Sequence, residues 1–358
     1  MNGYDIQEQI DVAGRGYKQG AGGAVIHLDG GVIEVYETIR SGGNSTSTAQ
    51  VGMSYLGNWM SLPYDYGNNG APGGTTLVWK GDPGGTMWEH VGGAYPFWGG
   101  MTFQLDPGNP GSSTDDSEWK IFDGKKSAGI GIKITGNNTT GAVTQSPSIE
   151  NVSIVGSRDG ERFSIGLWLA YTDGNGHAQV DNLQATSLEI RDVAIGIYSW
   201  NWQAVNNVIS HGKLDARWFP VYLRSGSLKL YDTQFNVRGD QGAAIWLGDE
   251  AAYLRVENSY MEMPTQAAFL RVGDNNANYN FLGNAIIRGG RFNHQADPGG
   301  IAVVDSSDGW AGMVVVQDCD FKTSKYTDPN DAWFTAPQET VSVNNNFWDR
   351  VKQGLKPN

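Results

Sequence analysis

The sequence predicts an all-β protein wound as a solenoid. Three observations predict it: an aromatic that recurs every 24 residues, a series of bend motifs spaced 26 apart, and a composition rich in turn residues. Tyr198, Tyr222 and Trp246 sit at the centres of Ile197-Tyr198-Ser199, Val221-Tyr222-Leu223 and Ile245-Trp246-Leu247, and Leu167-Trp168-Leu169 has the same form. A strand alternates its side chains between faces, so the flanking residues point one way and the aromatic the other. A recurrence of roughly 20–50 residues is the period of stacked coils, in which each repeat buries its apolar face against its neighbours. The next register step lands on Phe269, which places Leu270 at the outward position.

The bend series reads apolar, any residue, then Asn, Asp or Gly, two further residues, apolar. It occurs at Ile149-Glu150-Asn151, Ile190-Arg191-Asp192, Ala204-Val205-Asn206, Leu230-Tyr231-Asp232, Val256-Glu257-Asn258, Ile287-Arg288-Gly289 and Val316-Gln317-Asp318. Asn206, Asp232 and Asn258 are spaced 26 apart. Asn, Asp and Gly tolerate left-handed backbone, so each motif predicts strand, sharp bend, strand. Two interleaved series imply at least two strands per coil, with corners at fixed positions.

The chain has 358 residues with 50 Gly, 13 Pro and 13 Trp, which suits a turn-rich β protein. Because the repeat covers most of the length, one elongated domain is expected. No apolar run reaches the roughly 18 residues of a membrane span. The start Met1-Asn2-Gly3-Tyr4-Asp5 lacks a basic segment followed by an apolar one, so no signal peptide is visible in this chain. The single cysteine, Cys319, excludes an internal disulfide and a cysteine-based zinc cluster. A formal charge of −13 argues against a nucleic-acid partner, because phosphate binding needs a basic footprint.

In chain order, Ile6, Ile10 and Ala13 have helical spacing with acidic residues early, which predicts a short helix that ends before Gly14. Residues 24–28 and 32–39 predict two strands, and residues 41–74, rich in Gly, Ser and Asn, a long excursion. Residues 75–79, 86–89 and 101–105 then predict the first wound strands. A solenoid end exposes apolar surface and needs a cap, for which the helix is the candidate. The expected organisation is a cap with first strands over 1–40, a solenoid with loop insertions over 41–335, and a C-terminal cap or tail over 336–358.

The order of helix, then Gly22-Gly23-Ala24-Val25-Ile26-His27-Leu28-Asp29-Gly30-Gly31-Val32-Ile33-Glu34-Val35, then Gly73-Gly74-Thr75-Thr76-Leu77-Val78-Trp79, resembles the opening of pectate-lyase-like right-handed parallel β-helix proteins, phage tailspike depolymerases among them. The corners at Asn151, Asn206 and Asn258 resemble that family's asparagine-bearing turns. The resemblance covers roughly residues 4–325 and implies a single right-handed parallel β-helix with a short capping helix. It also implies polysaccharide as the class of partner, in an extracellular or virion-associated setting, as monomer or homotrimer. The paired-Asp and Gly-His-Gly motifs of the polygalacturonase branch are missing, with Ser210-His211-Gly212 a partial echo.

Neighbouring parallel strands lie about 4.8 Å apart, so Trp168, Tyr198, Tyr222 and Trp246 are expected to form a column on the outer wall. Sugar rings stack their C–H faces on such aromatics. Trp200 and Trp202 would widen the platform, and Arg224 lies beside it. Acids gather where the same strands end, at Asp249, Glu250 and Asp274. Glycoside hydrolysis uses two carboxyl groups about 5–5.5 Å apart for retention and roughly 6.5–9.5 Å apart for inversion. One coil suits the first distance and two coils the second, which makes Asp249 or Glu250 with Asp274 the expected pair of an endo-acting hydrolase. His211, Lys213 and Asp215 form a second candidate set, read as one loop, that suits proton abstraction by a polysaccharide lyase. No metal ligand set is recognised and no cofactor is required by the hydrolase; calcium is expected only with the lyase. The remaining alternative is a non-catalytic glycan-binding or tailspike structural protein.

Overall fold

The computed structural model describes residues 3–18, 23–42, 52–58, 74–82, 84–105, 129–137, 143–156, 165–170, 179–201, 204–239, 242–248, 252–263, 268–273, 284–294, 304–306, 312–323, 341–344 and 347–348. They form an all-β parallel β-helix with one helix, at the N-terminus. The chain divides into two compact units, Met1–Ala194 and Ile195–Asn358.

In the first unit the helix Gly3–Lys18 buries Ile6 and Ile10, the apolar positions that its spacing marks. Its Gln7 amide accepts from the backbone N–H of Arg40 at 2.7 Å and donates to the Arg40 carbonyl at 3.0 Å. One side chain thus supplies both hydrogen bonds that a preceding strand would give to Arg40, which is the physical content of a cap.

Winding begins earlier than the sequence suggests. Val25–His27, Gly31–Val35 and Ile39–Gly42 pair in parallel with Ser54–Leu56, Thr75–Trp79 and Thr86–Val91. Ser54–Leu56 lies within the expected excursion and also pairs with Phe97–Leu105. Three residues are too few to show a period of two, so this strand carries no sequence signal of its own. Among the described residues these first coils hold three strands each, where two interleaved series implied at least two.

The second unit repeats the pattern. Lys213–Tyr231 bends through three strand positions and pairs successively with Gln234–Val237, Ala243–Leu247 and Ala252–Glu257. Those pair in turn with Tyr260–Met263, Ala268–Val272 and Asn284–Arg288. The interior is built of like residues in register: Leu228, Leu254, Ala285 and Val314 form one fully buried row, and Leu230, Val256, Ile287 and Val316 another. Each such buried Leu, Ile or Val is worth about 1.5–3 kcal/mol, and the rows make one coil the template for the next.

All seven predicted corners have left-handed backbone. The φ angles are 52° at Asn151, 55° at Asp192, 56° at Asn206, 48° at Asp232, 51° at Asn258, 66° at Gly289 and 55° at Asp318. Asp232, Asn258 and Gly289 each donate a backbone N–H to the carbonyl before the next coil's corner, at 3.0, 2.9 and 3.1 Å, so pairing continues through the bends.

Candidate functional site

In the unit Ile195–Asn358, Val221–Leu223 pair with Ile245–Leu247, which sets Tyr222 beside Trp246. The two rings stack at 4.3 Å with 11° between their planes, and Tyr198 lies 5.1 Å from Tyr222 on the other side. The pile is covered rather than open: Tyr198, Tyr222 and Trp246 are 2%, 6% and 3% exposed. Phe219 packs against Trp246 at 4.9 Å, and the Trp246 indole donates to the Gly273 carbonyl at 2.7 Å.

The column does not continue as the 24-residue period implies. Ile245 pairs with Leu270 and Trp246 with Arg271, so Leu270 is buried and the outward place goes to Arg271, which pairs in turn with Asp305. The spacing to the next outward residue is one longer, and a one-residue slip exchanges the two faces of a strand. Phe269 is buried against Phe292, 4.4 Å away.

Two positions beyond each aromatic lies a second column. Trp200 and Arg224 are half-buried, and the Arg224 guanidinium sits 4.0 Å above the Trp200 ring. The Ser225 hydroxyl accepts from the Asn201 backbone at 2.9 Å and ties these coils together at the strand exit. Next in the series come Gly248 and Gly273, whose N–H groups donate to Leu223 and Leu247 at 2.8 and 2.9 Å, in register one coil apart. A Cβ at Gly248 would lie 2.9 Å from Cε2 of Tyr222 and 3.2 Å from the Arg224 backbone, so this glycine is where the Tyr222 ring lies. Gly248→Ala is expected to displace that ring and lower stability by about 1–3 kcal/mol, read as a lower melting temperature. An unchanged melting temperature would mean that the ring has room to move.

These glycines directly precede the expected acids Asp249, Glu250 and Asp274. The three acids and Trp202 lie outside the described residues. The glycines themselves were not singled out in the sequence, although Trp246 and Arg271 are each followed by Gly after one residue, a signal that the aromatic series passes over.

Trp168 belongs to the unit Met1–Ala194. It is half-buried, with the Lys133 ammonium 5.1 Å over its ring. Lys133 also pairs with Glu89 at 2.9 Å, and Glu89 with Arg40 at 3.7 Å. The register of Arg40, Glu89, Lys133 and Trp168 makes this one outward ladder of alternating charge ending on an indole.

The second candidate set is not one loop. His211 is the bend, with φ 53°, and Lys213 and Asp215 lie in the strand Lys213–Tyr231. His211 is exposed, its Nε2 3.9 Å from the Asp232 carboxylate, and Lys213 is exposed as well. Asp215 is held in a two-pronged ion pair: Arg238 Nε meets Oδ1 at 2.7 Å and Nη2 donates to Oδ2 at 2.7 Å, while Asn236 donates to Oδ2 at 3.2 Å. Its side chain is 10% exposed. The sequence reading missed Arg238 and Asn236 because they belong to the next coil, where Asn236 is the register partner of Asp215. Such geometry makes Asp215 a lock between coils. Asp215→Ala would remove both prongs of this ion pair, and the expected loss of stability is about 2 kcal/mol, below the range for wholly buried pairs because Arg238 reaches solvent. Loss of turnover at an unchanged melting temperature would instead mark Asp215 as a base. Among the described residues no group of three His, Cys, Asp or Glu side chains converges, and no helix is long and apolar enough to cross a membrane.

No family model matches the chain, and no curated protein does. Solved structures do. ORF18 of Geobacillus virus E2 is 12% identical with a TM-score of 0.59, over 96% of this chain and 57% of that one. DFA-IIIase from Arthrobacter chlorophenolicus A6 without its lid is 12% identical with a TM-score of 0.59, over 96% and 94%. A mutant of the tailspike protein of E. coli bacteriophage HK620, in complex with a pentasaccharide, is 11% identical with a TM-score of 0.54, over 97% and 61%. The likeness agrees with the parallel β-helix that the strand pairing shows. At these identities the likeness is one of fold, and fold does not choose an activity. This chain spans 57% and 61% of the two viral proteins.

Proposed function

We propose that this β-helix is a carbohydrate-active protein that cleaves a polysaccharide, as an endo-acting glycoside hydrolase. The observation that carries the reading is the strand-exit edge. There the Arg224–Trp200 pair flanks the glycines Gly248 and Gly273, which occupy equal places in consecutive coils and lead directly into Asp249, Glu250 and Asp274. In the mechanism one carboxyl group protonates the leaving oxygen while the other acts as nucleophile or activates water. In the unit Ile195–Asn358 half-buried Trp200 offers a ring face for a sugar, and Tyr198, Tyr222 and Trp246 serve as the floor behind it; in the unit Met1–Ala194 half-buried Trp168 offers a ring face of its own. The reading requires no cofactor.

A pentasaccharide bound to one β-helix of the same fold supports glycan as the ligand class, and the viral proteins support a virion-associated or extracellular setting. Homotrimer and monomer are both compatible with this edge. The test is incubation with a panel of neutral and acidic polysaccharides. New reducing ends without the ultraviolet absorbance of an unsaturated sugar are expected. Both signals together would indicate elimination and turn attention to His211, Lys213 and Asp215, with calcium then added to the assay. Neither signal across the panel would leave glycan binding without catalysis.

A further inference from the structure

At two strand positions the first coils of Met1–Ala194 are polar and aromatic inside where the next coil is aliphatic. Ser41 and His90 are register partners in Ile39–Gly42 and Thr86–Val91, and Tyr55 and Trp98 are partners in Ser54–Leu56 and Phe97–Leu105. One coil later the same places are held by Ile134 and Ile149. Trp88 closes the group. Ring centroids lie 4.7 Å apart for Tyr55 and Trp88, 5.7 Å for Tyr55 and Trp98, and 5.4 Å for His90 and Trp98. Tyr55, Trp88, His90 and Trp98 are all 0% exposed.

Part of this polar group is internally satisfied. Ser41 Oγ accepts from Trp88 Nε1 at 2.9 Å and bonds His90 Nδ1 at 3.0 Å. Tyr55 Oη, His90 Nε2 and Trp98 Nε1 are buried and close no hydrogen bond of good geometry, although the Ser41 hydroxyl lies beside Tyr55 and the Gly92 backbone beside the His90 ring. Buried polar atoms in folded proteins are nearly always paired, with protein or with ordered water.

We propose that this cluster is the binding site of a single internal water molecule, which accepts from Trp98 Nε1 and bridges to Tyr55 Oη or His90 Nε2. The chemistry selects the ligand. An indole N–H is a donor only, so the occupant must accept. Ser41, Tyr55, Trp88, His90 and Trp98 include no carboxylate and no lysine or arginine, so neither a cation nor an anion finds a counter-charge among them. A molecule that both donates and accepts, small enough to sit among packed rings, is water, which in such sites makes about three hydrogen bonds. With the water donating to Nε2, His90 carries its proton on Nδ1 and donates it to Ser41.

An atomic-resolution crystal structure of the whole chain tests this. The expected result is a density peak about 2.7–3.2 Å from Trp98 Nε1 and from at least one of the other two atoms. No peak there, or one that reaches only a single polar atom, overturns the proposal. In solution, oxygen-17 relaxation dispersion of water is expected to lose one long-lived molecule on Trp98→Phe. Should that variant not fold, Tyr55→Phe keeps the ring and is expected to shorten the residence time. Signals unchanged from wild type in the folded variant overturn the proposal equally.

Discussion

Asp274→Asn, and either Asp249→Asn or Glu250→Gln, will lower glycan hydrolysis by about 10²–10⁴-fold with little change in melting temperature, the usual range for loss of a positioned acid or base. The residues before them set this expectation. Gly248 and Gly273 are hydrogen-bonded into the ladder one coil apart, and one coil is about 4.8 Å, close to the roughly 5–5.5 Å of a retaining pair. The first-formed product is therefore expected to keep the anomeric configuration of the substrate, which proton NMR of fresh digests reads directly. Inversion would point to acids two coils apart. If all three variants keep full turnover, the pair is misassigned and His211, Lys213 and Asp215 take its place.

Acid will destabilise the unit Met1–Ala194 through His90. Burial pushes its pKa from the ordinary 6.5 down to about 3, with the Gly92 backbone beside the ring opposing the shift. The unfolded chain binds a proton near pH 6.5 that the folded chain refuses until about pH 3. His90 therefore leaves stability intact above pH 6.5 and erodes it as the pH falls, by about 1.4 kcal/mol per unit and roughly 4–5 kcal/mol across the whole window. Urea midpoints measured at pH 7 and pH 4 in wild type and His90→Gln read the effect. The variant should show a clearly smaller loss between the two pH values, since the carboxylates that also titrate there are common to both. Equal losses would show that His90 accepts a proton inside the fold.

The most legible parts of the chain were those written in local chemistry. Asn151, Asp192, Asn206, Asp232, Asn258, Gly289 and Asp318 could be assigned to corners because few residue types tolerate positive φ, and each has it. Ile6 and Ile10 marked the buried face of the cap for a similar reason. Legibility failed wherever the answer lay in another coil. The slip that makes Arg271 rather than Leu270 the partner of Trp246 is a matter of register between two coils, which the composition of either strand does not record. Ser54–Leu56 is a strand because Val25–His27 and Phe97–Leu105 hydrogen-bond it on both sides.

By itself, then, the sequence determined that this chain is a stack of β coils, where its corners fall, and that aromatics occupy one outward position in register. Those properties follow from backbone sterics and from a period that is visible within one strand and its neighbour. Only the tertiary structure decided that Tyr198, Tyr222 and Trp246 are buried, that Arg238 locks Asp215, and that His90 is sealed inside with Ser41. Burial and ion pairing are relations between residues brought together by winding, about 23–49 positions apart along the chain in these cases, and no local pattern records which partner the next coil will bring.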